Sequence, residues 1–269
     1  GVVQRYVGEN VSVSLDDKTD ALLMKSEQIR GEVFKPTERI KLYIVEVKET
    51  NRGPRILVSR THPDLVKRLF EKEVAEIQDG TVEIKNIVRE AGSRTKMAVW
   101  SNDKNVDPVG ACVGLNGARV NAIVNVLKGE KIDIINWNED PCVFIENALS
   151  PSKVVSVAVD VEEKSAEVVV PDYQLSLAIG KEGQNARLAA RLTGYKIDIK
   201  SESQAAEEAT PFAAQMAAEE AAKVSEEPEA DEFEIEEDLF NEEINDDFVE
   251  DAENTEEAVE DFDAEDIEE

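Results

Sequence analysis

The sequence predicts an α+β, multidomain chain: a small β-barrel, two copies of one mixed α/β unit, and an acidic tail. Three observations carry that prediction. Short apolar segments with strand-like alternation crowd the first 60 residues. Val113-Gly114-Leu115-Asn116-Gly117 returns as Ile179-Gly180-Lys181-Glu182-Gly183, 66 positions on, and Lys131-Ile132-Asp133-Ile134 as Lys196-Ile197-Asp198-Ile199, 65 positions on. Charge is unevenly divided: the 269 residues include 60 acids and 30 bases, yet residues 202–269 hold 30 of those acids and one base, Lys223. The remaining body is close to neutral and long enough to bury real cores.

At the front, Val11-Ser12-Val13-Ser14-Leu15 alternates apolar and polar, the period of a half-buried strand. Asp16 to Asp20 is a turn cluster, Ala21 to Met24 resumes, Ile40 to Val47 is longer, and Asn51-Arg52-Gly53-Pro54 turns into Ile56-Leu57-Val58. With Gly1–Val7 that makes five strands over residues 1–60, the count of an OB-type barrel. The chain opens inside an apparent strand and without Met, so it reads as part of something longer with a clipped first strand.

Several function classes are excluded early. No apolar run approaches the roughly 20 residues that span a bilayer, and no signal peptide opens the chain. Cys112 and Cys142 lack a CxxC or histidine partner, so both are expected to be reduced core thiols in a cytoplasmic protein. A single histidine, His62, leaves no basis for a transition-metal site. No cofactor, metal or catalytic residue is expected.

Asp64, after His62-Pro63, is a candidate N-cap for a helix carrying Leu65, Leu69 and Phe70. Two repeat units follow, over 61–138 and 139–201. Each begins with two strands, Val82–Val88 and Lys96–Trp100 in the first, Val154–Val159 and Ala166–Val170 in the second. A short helix follows, started by Asp107-Pro108 or by Asp172; then come Gly-x-x-Gly, a second helix and a closing strand. Val120, Ile123, Val124 and Leu127 form a helical stripe that belongs to the core. Only Asn138, Glu139 and Asp140 separate Trp137 from Pro141, so the two units should pack against each other.

Gly-x-x-Gly between two helices is the loop by which KH domains clamp the backbone of single-stranded nucleic acid. Glycine lets the main chain approach a sugar-phosphate closely and turn with positive φ, and the loop opens a helix whose N–H groups attract anions. One such loop means little; two in the same frame are specific. Both strands precede the loop, which is the type II arrangement. Leu115 and Asn116 also suit a plain helix-helix turn, whereas Lys181 suits phosphate, with Glu182 weighing against it. Residues 180–200 carry five bases against two acids, and Arg187 and Arg191 share one helical face, where the first unit has Asn121 and Asn125.

These residues resemble a known family. Ser59-Arg60-Thr61-His62-Pro63, Gly92-Ser93-Arg94-Thr95-Lys96 and Asn102-Asp103-Lys104 match the NusA family of transcription elongation, termination and antitermination factors. So do Asp107 to Gly114 with Gly117-Ala118-Arg119-Val120, and Gln184-Asn185-Ala186-Arg187-Leu188-Ala189. The resemblance covers residues 1–201. It implies an S1-type barrel followed by two KH domains that hold single-stranded RNA emerging from bacterial RNA polymerase. Carried over, Gly114, Leu115, Asn116, Gly117 and Arg119 would meet RNA in the first unit. Gly180, Lys181, Glu182, Gly183, Gln184, Asn185 and Arg187 would do so in the second, with bases across Ile134 and Ile199. RNA polymerase and other antitermination factors are the implied partners, although the family's polymerase-binding N-terminal domain does not precede this barrel. Tyr6, Phe34 and Tyr43 are the barrel's aromatics, and core is the favoured reading for them.

Residues 202–269 are expected to be a disordered acidic tail, with 202–224 a transient helix; their composition buries too little apolar surface to offset chain entropy. Such a tail is a solubilising device, an RNA mimic competing at high effective concentration, or a dock for a basic partner. The expected function is non-catalytic RNA binding by a monomer that regulates transcription. The rivals are a fragment of an exoribonuclease, which also carries KH and S1 domains, and a scaffold contacting protein only.

Overall fold

Apolar side chains at every second position need a sheet with one covered face, and the first 59 residues supply it. The computed structural model of the protein describes residues 1–16, 19–51 and 53–208. Strands β1 (Val2–Val7), β2 (Asn10–Ser14), β3 (Asp20–Leu23), β4 (Tyr43–Thr50) and β5 (Gly53–Ser59) lie in the order β1-β2-β3-β5-β4. The inward positions Val3, Val11, Val13, Ala21, Leu23, Ile56 and Val58 close over Phe34 and Ile40. The expected closed barrel is not formed: β1 and β4 are both edges of the sheet. The free edge of β1 is taken instead by residues 37–40, through Val3 N–H to Glu38 O, Thr37 N–H to Val3 O and Ile40 N–H to Gly1 O. Thr37, with φ of 71°, turns that segment out of strand geometry before β4 begins. The aromatics divide: Phe34 is buried, Tyr6 is exposed with its hydroxyl accepting from Phe34 N–H, and Tyr43 stacks on His62.

The first repeat unit opens with helix α1 (Pro63–Glu73) and the short α2 (Ala75–Gln78). The cap of α1 is His62 and not Asp64: His62 Nδ1 accepts from Asp64 N–H, and the Asp64 carboxylate receives the Tyr43 hydroxyl. Strands β6 (Val82–Glu90) and β7 (Arg94–Ser101) pair antiparallel. Helices α3 (Pro108–Val113) and α4 (Ala118–Val126) lead to β8 (Lys131–Asn136), which runs parallel to β7. Asp107 caps α3 as expected, its carboxylate accepting from Val109 and Gly110 N–H.

The second unit repeats the plan. After α5 (Pro141–Ala148), β9 (Ser156–Asp160) pairs antiparallel with β10 (Ser165–Val170). A 3-10 turn over Asp172–Gln174 precedes α6 (Leu175–Ile179), then come α7 (Gln184–Thr193) and β11 (Lys196–Ser201), parallel to β10. The connection from second helix to closing strand spans 127–130 in the first unit and 194–195 in the second; two residues shorter after a helix one residue longer, it accounts for the unequal repeat offsets. Asp172 is not the expected helix cap; its carboxylate accepts from the Ser203 N–H and hydroxyl. That bond anchors residues 202–208, which are helical; the rest of the expected tail lies outside the described residues.

The two units share an interface built on the first sheet. One face of that sheet carries Met97 and Val99 against Leu65, Val66, Phe70, Ile123 and Leu127 of its own unit. The other carries Ala98, Ile135 and Val88 into the second unit's core, against Phe144, Ile145, Leu149, Ala189 and Leu192. Lys96, buried on that second face, donates to Ser150 O at 2.9 Å and lies 3.2 Å from Asp133. Cys112 is a buried core thiol; Cys142 is only partly covered.

Candidate nucleic-acid interface

The two Gly-x-x-Gly loops have the same backbone. Gly114 sits at φ 72°, ψ 175° and Gly180 at φ 76°, ψ 174°, a region closed to side chains. Asn116 (51°, 28°) and Glu182 (54°, 26°) are left-handed, as are Gly117 (75°, 15°) and Gly183 (73°, 16°). Gly117 N–H reaches Gly114 O and Gly183 N–H reaches Gly180 O, each at 3.1 Å. In each copy the loop links the C-terminus of one helix to the N-terminus of the next, where main-chain donors favour an anion.

Side chains then separate the two loops. Leu115 is 85% exposed and Asn116 is exposed, whereas Lys181 and Glu182 bring both charge signs to the second tip. Arg119 is committed to its own unit: Nη1 donates to Ala111 O at 2.7 Å and pairs with Glu76 at 2.9 Å. Its aliphatic stem fills the space a Cβ on Gly114 would need. Glu76 is held below the usual carboxylate range by a main-chain hydrogen bond and by Arg119.

In the second unit Asn185 is only 3% exposed; its Nδ2 donates to Leu149 O and Ala178 O, both at 3.0 Å, and its Oδ1 has no hydrogen-bond partner. Gln184 Nε2 donates to Glu90 Oε2 and Ser93 Oγ of the first unit. Arg187 donates through Nε to Glu90 Oε1 at 2.8 Å and through Nη1 to Glu182 O at 3.1 Å. Arg191 is exposed on the same helix. Ile134 and Ile199 are half-buried against the two unit cores.

The sequence reading missed Glu90, Ser93 and Lys131, which bring the first unit to the second loop. Glu90 and Arg187 stand 97 residues apart, beyond any local pattern. Arg187 and Gln184 hold the Glu90 carboxyl below its usual range. Among the described residues no group of three His, Cys, Asp or Glu side chains could hold a metal ion, and no helix is long and apolar enough to cross a membrane.

Residues 60–137 match the model of the NusA-like first KH domain, and residues 141–207 match that of the NusA-like second KH domain. The chain belongs to the NusA family. The transcription termination/antitermination protein NusA of Bacillus subtilis is 63% identical over 207 residues, covering 77% of this chain and 56% of that protein. NusA of Mycobacterium bovis is 51% identical, over 75% of this chain and 60% of its own length. NusA of Thermus thermophilus is 48% identical over 235 residues, 87% of this chain and 60% of the relative. The chain thus spans between half and two thirds of the length of these NusA relatives. Their shared name is a transcription name, and the comparisons lend no support to the exoribonuclease reading.

Proposed function

We propose that this chain is the RNA-holding part of a bacterial transcription factor, which grips nascent single-stranded RNA along its tandem KH units and so regulates pausing, termination and antitermination. One observation carries the reading: two Gly-x-x-Gly loops, built to the same dihedral angles in the same fold frame, in a chain of the NusA family. Within it, the main chain of 114–117 and 180–183, with Lys181 and Arg191, meets RNA, while Ile134 and Ile199 flank the bases. Arg119, Gln184, Asn185 and Arg187 shape the loops, consistent with the internal bonds they make.

The proposed division is an S1-type OB domain over 1–60, KH domains over 61–138 and 139–201, and an acidic segment over 202–269. The protein acts in the cytoplasm as a monomer without catalysis, with RNA polymerase and other antitermination factors as partners. Fluorescence anisotropy with a labelled single-stranded RNA across a salt series tests this. The expected result is an affinity that falls linearly, on logarithmic axes, with salt. An absence of salt-dependent affinity overturns it in favour of a scaffold contacting protein only. RNA incubated with the protein and magnesium is expected to stay intact.

A further inference from the structure

The second Gly-x-x-Gly loop does not stand alone. Glu90, on the first unit's hairpin, fixes Gln184 and Arg187 in the first turn of α7, and Arg187 in turn holds the Glu182 carbonyl inside the loop. Between hairpin and loop lies a cavity of about 390 Å³, lined by Arg94 and Lys131 from the first unit and by Gly180, Lys181, Gln184 and Asn185 from the second. Arg94 is neutralised by Asp133, which accepts from its Nε at 2.6 Å and its Nη2 at 2.9 Å. Lys131 and Lys181 are exposed and, among the described residues, carry no ion pair. The first loop has no counterpart to this: its arginine is spent on Glu76 within its own unit.

We propose that the second loop is a composite phosphate site completed by the first unit. Lys131 and Lys181 receive one backbone phosphate of an RNA strand as it crosses the seam between the KH units, and Glu90 is the positioning residue that holds the loop open to it. The inference rests on the RNA-binding reading and adds to it a residue, Lys131, that lies outside both loops. Two cations without ion pairs among the described residues line one concave surface, beside glycine main chain that a phosphate can approach closely. Separate beads, each with its own loop, would not place a charge of one unit at the other's loop.

The test uses the full chain, a labelled single-stranded RNA and a salt series, with Lys131→Gln, Lys181→Gln and, as a control on the exposed face of α1, Lys72→Gln. Each seam variant is expected to weaken RNA binding several-fold and to reduce the salt slope by about 0.7, the value for one lost single-strand phosphate contact. Lys72→Gln should leave both unchanged, and thermal melts should superimpose for all four proteins. Full affinity and slope in Lys131→Gln, or an equal loss in Lys72→Gln, overturns the composite site while leaving the RNA reading in place. No RNA binding by the unmodified chain overturns both. Inorganic phosphate at fixed ionic strength is the second arm. It should not displace RNA; displacement at millimolar phosphate would assign the cavity to a free anion instead.

Discussion

Arg89 and Glu130 meet in a two-pronged pair, Nε to Oε1 and Nη2 to Oε2, both at 2.8 Å, with side chains 1% and 0% exposed. Arg89 also donates to His62 O, and Glu130 accepts from Gly92 N–H and the Thr95 hydroxyl. A buried pair with every lone pair engaged is costly to break from one side, because the remaining charge stays out of water.

Glu130→Gln should therefore cost about 3 kcal/mol or more at neutral pH. Burial pushes the Glu130 carboxyl up, but Arg89, Thr95 and Gly92 together outweigh it and leave the group below its ordinary 4.5. A carboxyl lowered in the folded state contributes stability that is present above about 4.5 and lost as pH falls through the folded value. Urea midpoints measured from pH 7 downward should fall more steeply below pH 4.5 in the unmodified protein than in Glu130→Gln. Parallel curves would count against the pair.

The two glycines of the second loop should differ in tolerance. A Cβ on Gly180 would stand 2.9 Å from the Asn185 main-chain nitrogen, at dihedrals only glycine adopts. Gly180→Ala should cost about 3 kcal/mol and Gly183→Ala, left-handed with nothing nearer than Arg187 Nη1 at 4.0 Å, about 1–2 kcal/mol. The same close packing means that Gly180→Asp would strain the fold as well as the loop's approach to RNA. Thermal unfolding of the two alanine variants decides the order.

Leu115 occupies the place Lys181 holds in the other loop. Leu115→Lys should raise RNA affinity a few-fold and steepen the salt slope by about 0.7. Its stability should stay within about 0.5 kcal/mol, as for an exposed substitution. A loss of affinity would assign Leu115 an apolar contact with RNA.

The two thiols should react at different rates. Burial, with Glu76 adding to it, pushes the Cys112 thiol up to about 12, whereas Cys142 is partly open near the start of α5. A thiol reagent at pH 8 should label Cys142 in the native protein and reach Cys112 only on unfolding. Rapid labelling of Cys112 in folded protein would contradict the packing of α3.

Much of this was legible because it is local. Alternation at Val11 and Val13 located a strand, Asp107-Pro108 located a helix start, and the repeated glycines fixed both the loops and the duplication. Sheet order was not legible: β3 pairs in parallel with β5 across more than thirty residues, and the β1 edge that a closed barrel would pair with a strand is taken by 37–40. His62 is not legible as the cap because Asp64 has the better intrinsic preference, and the Tyr43 hydroxyl draws that carboxylate away. The run Thr95-Lys96-Met97-Ala98-Val99 is buried throughout, the mark of a strand covered on both faces, but Lys96 disguised it. Within the interface, residue types on the loops could be read off, whereas their commitments to Glu76, Glu90 and Leu149 could not.

The double cover of the first sheet bears on how far such an array can extend. The second unit's sheet does not repeat that face: the positions of Ala98 and Ile135 are taken by Val169 and Lys200, beside exposed Glu167 and Asp198, and Lys200 pairs with both carboxylates and with Glu208 of the helical segment. A third KH unit could not dock by repeating the contact that joins the first two. Within the described residues the apolar stacking that joins the two copies ends on this polar face, so the contact is not one that the second copy passes on.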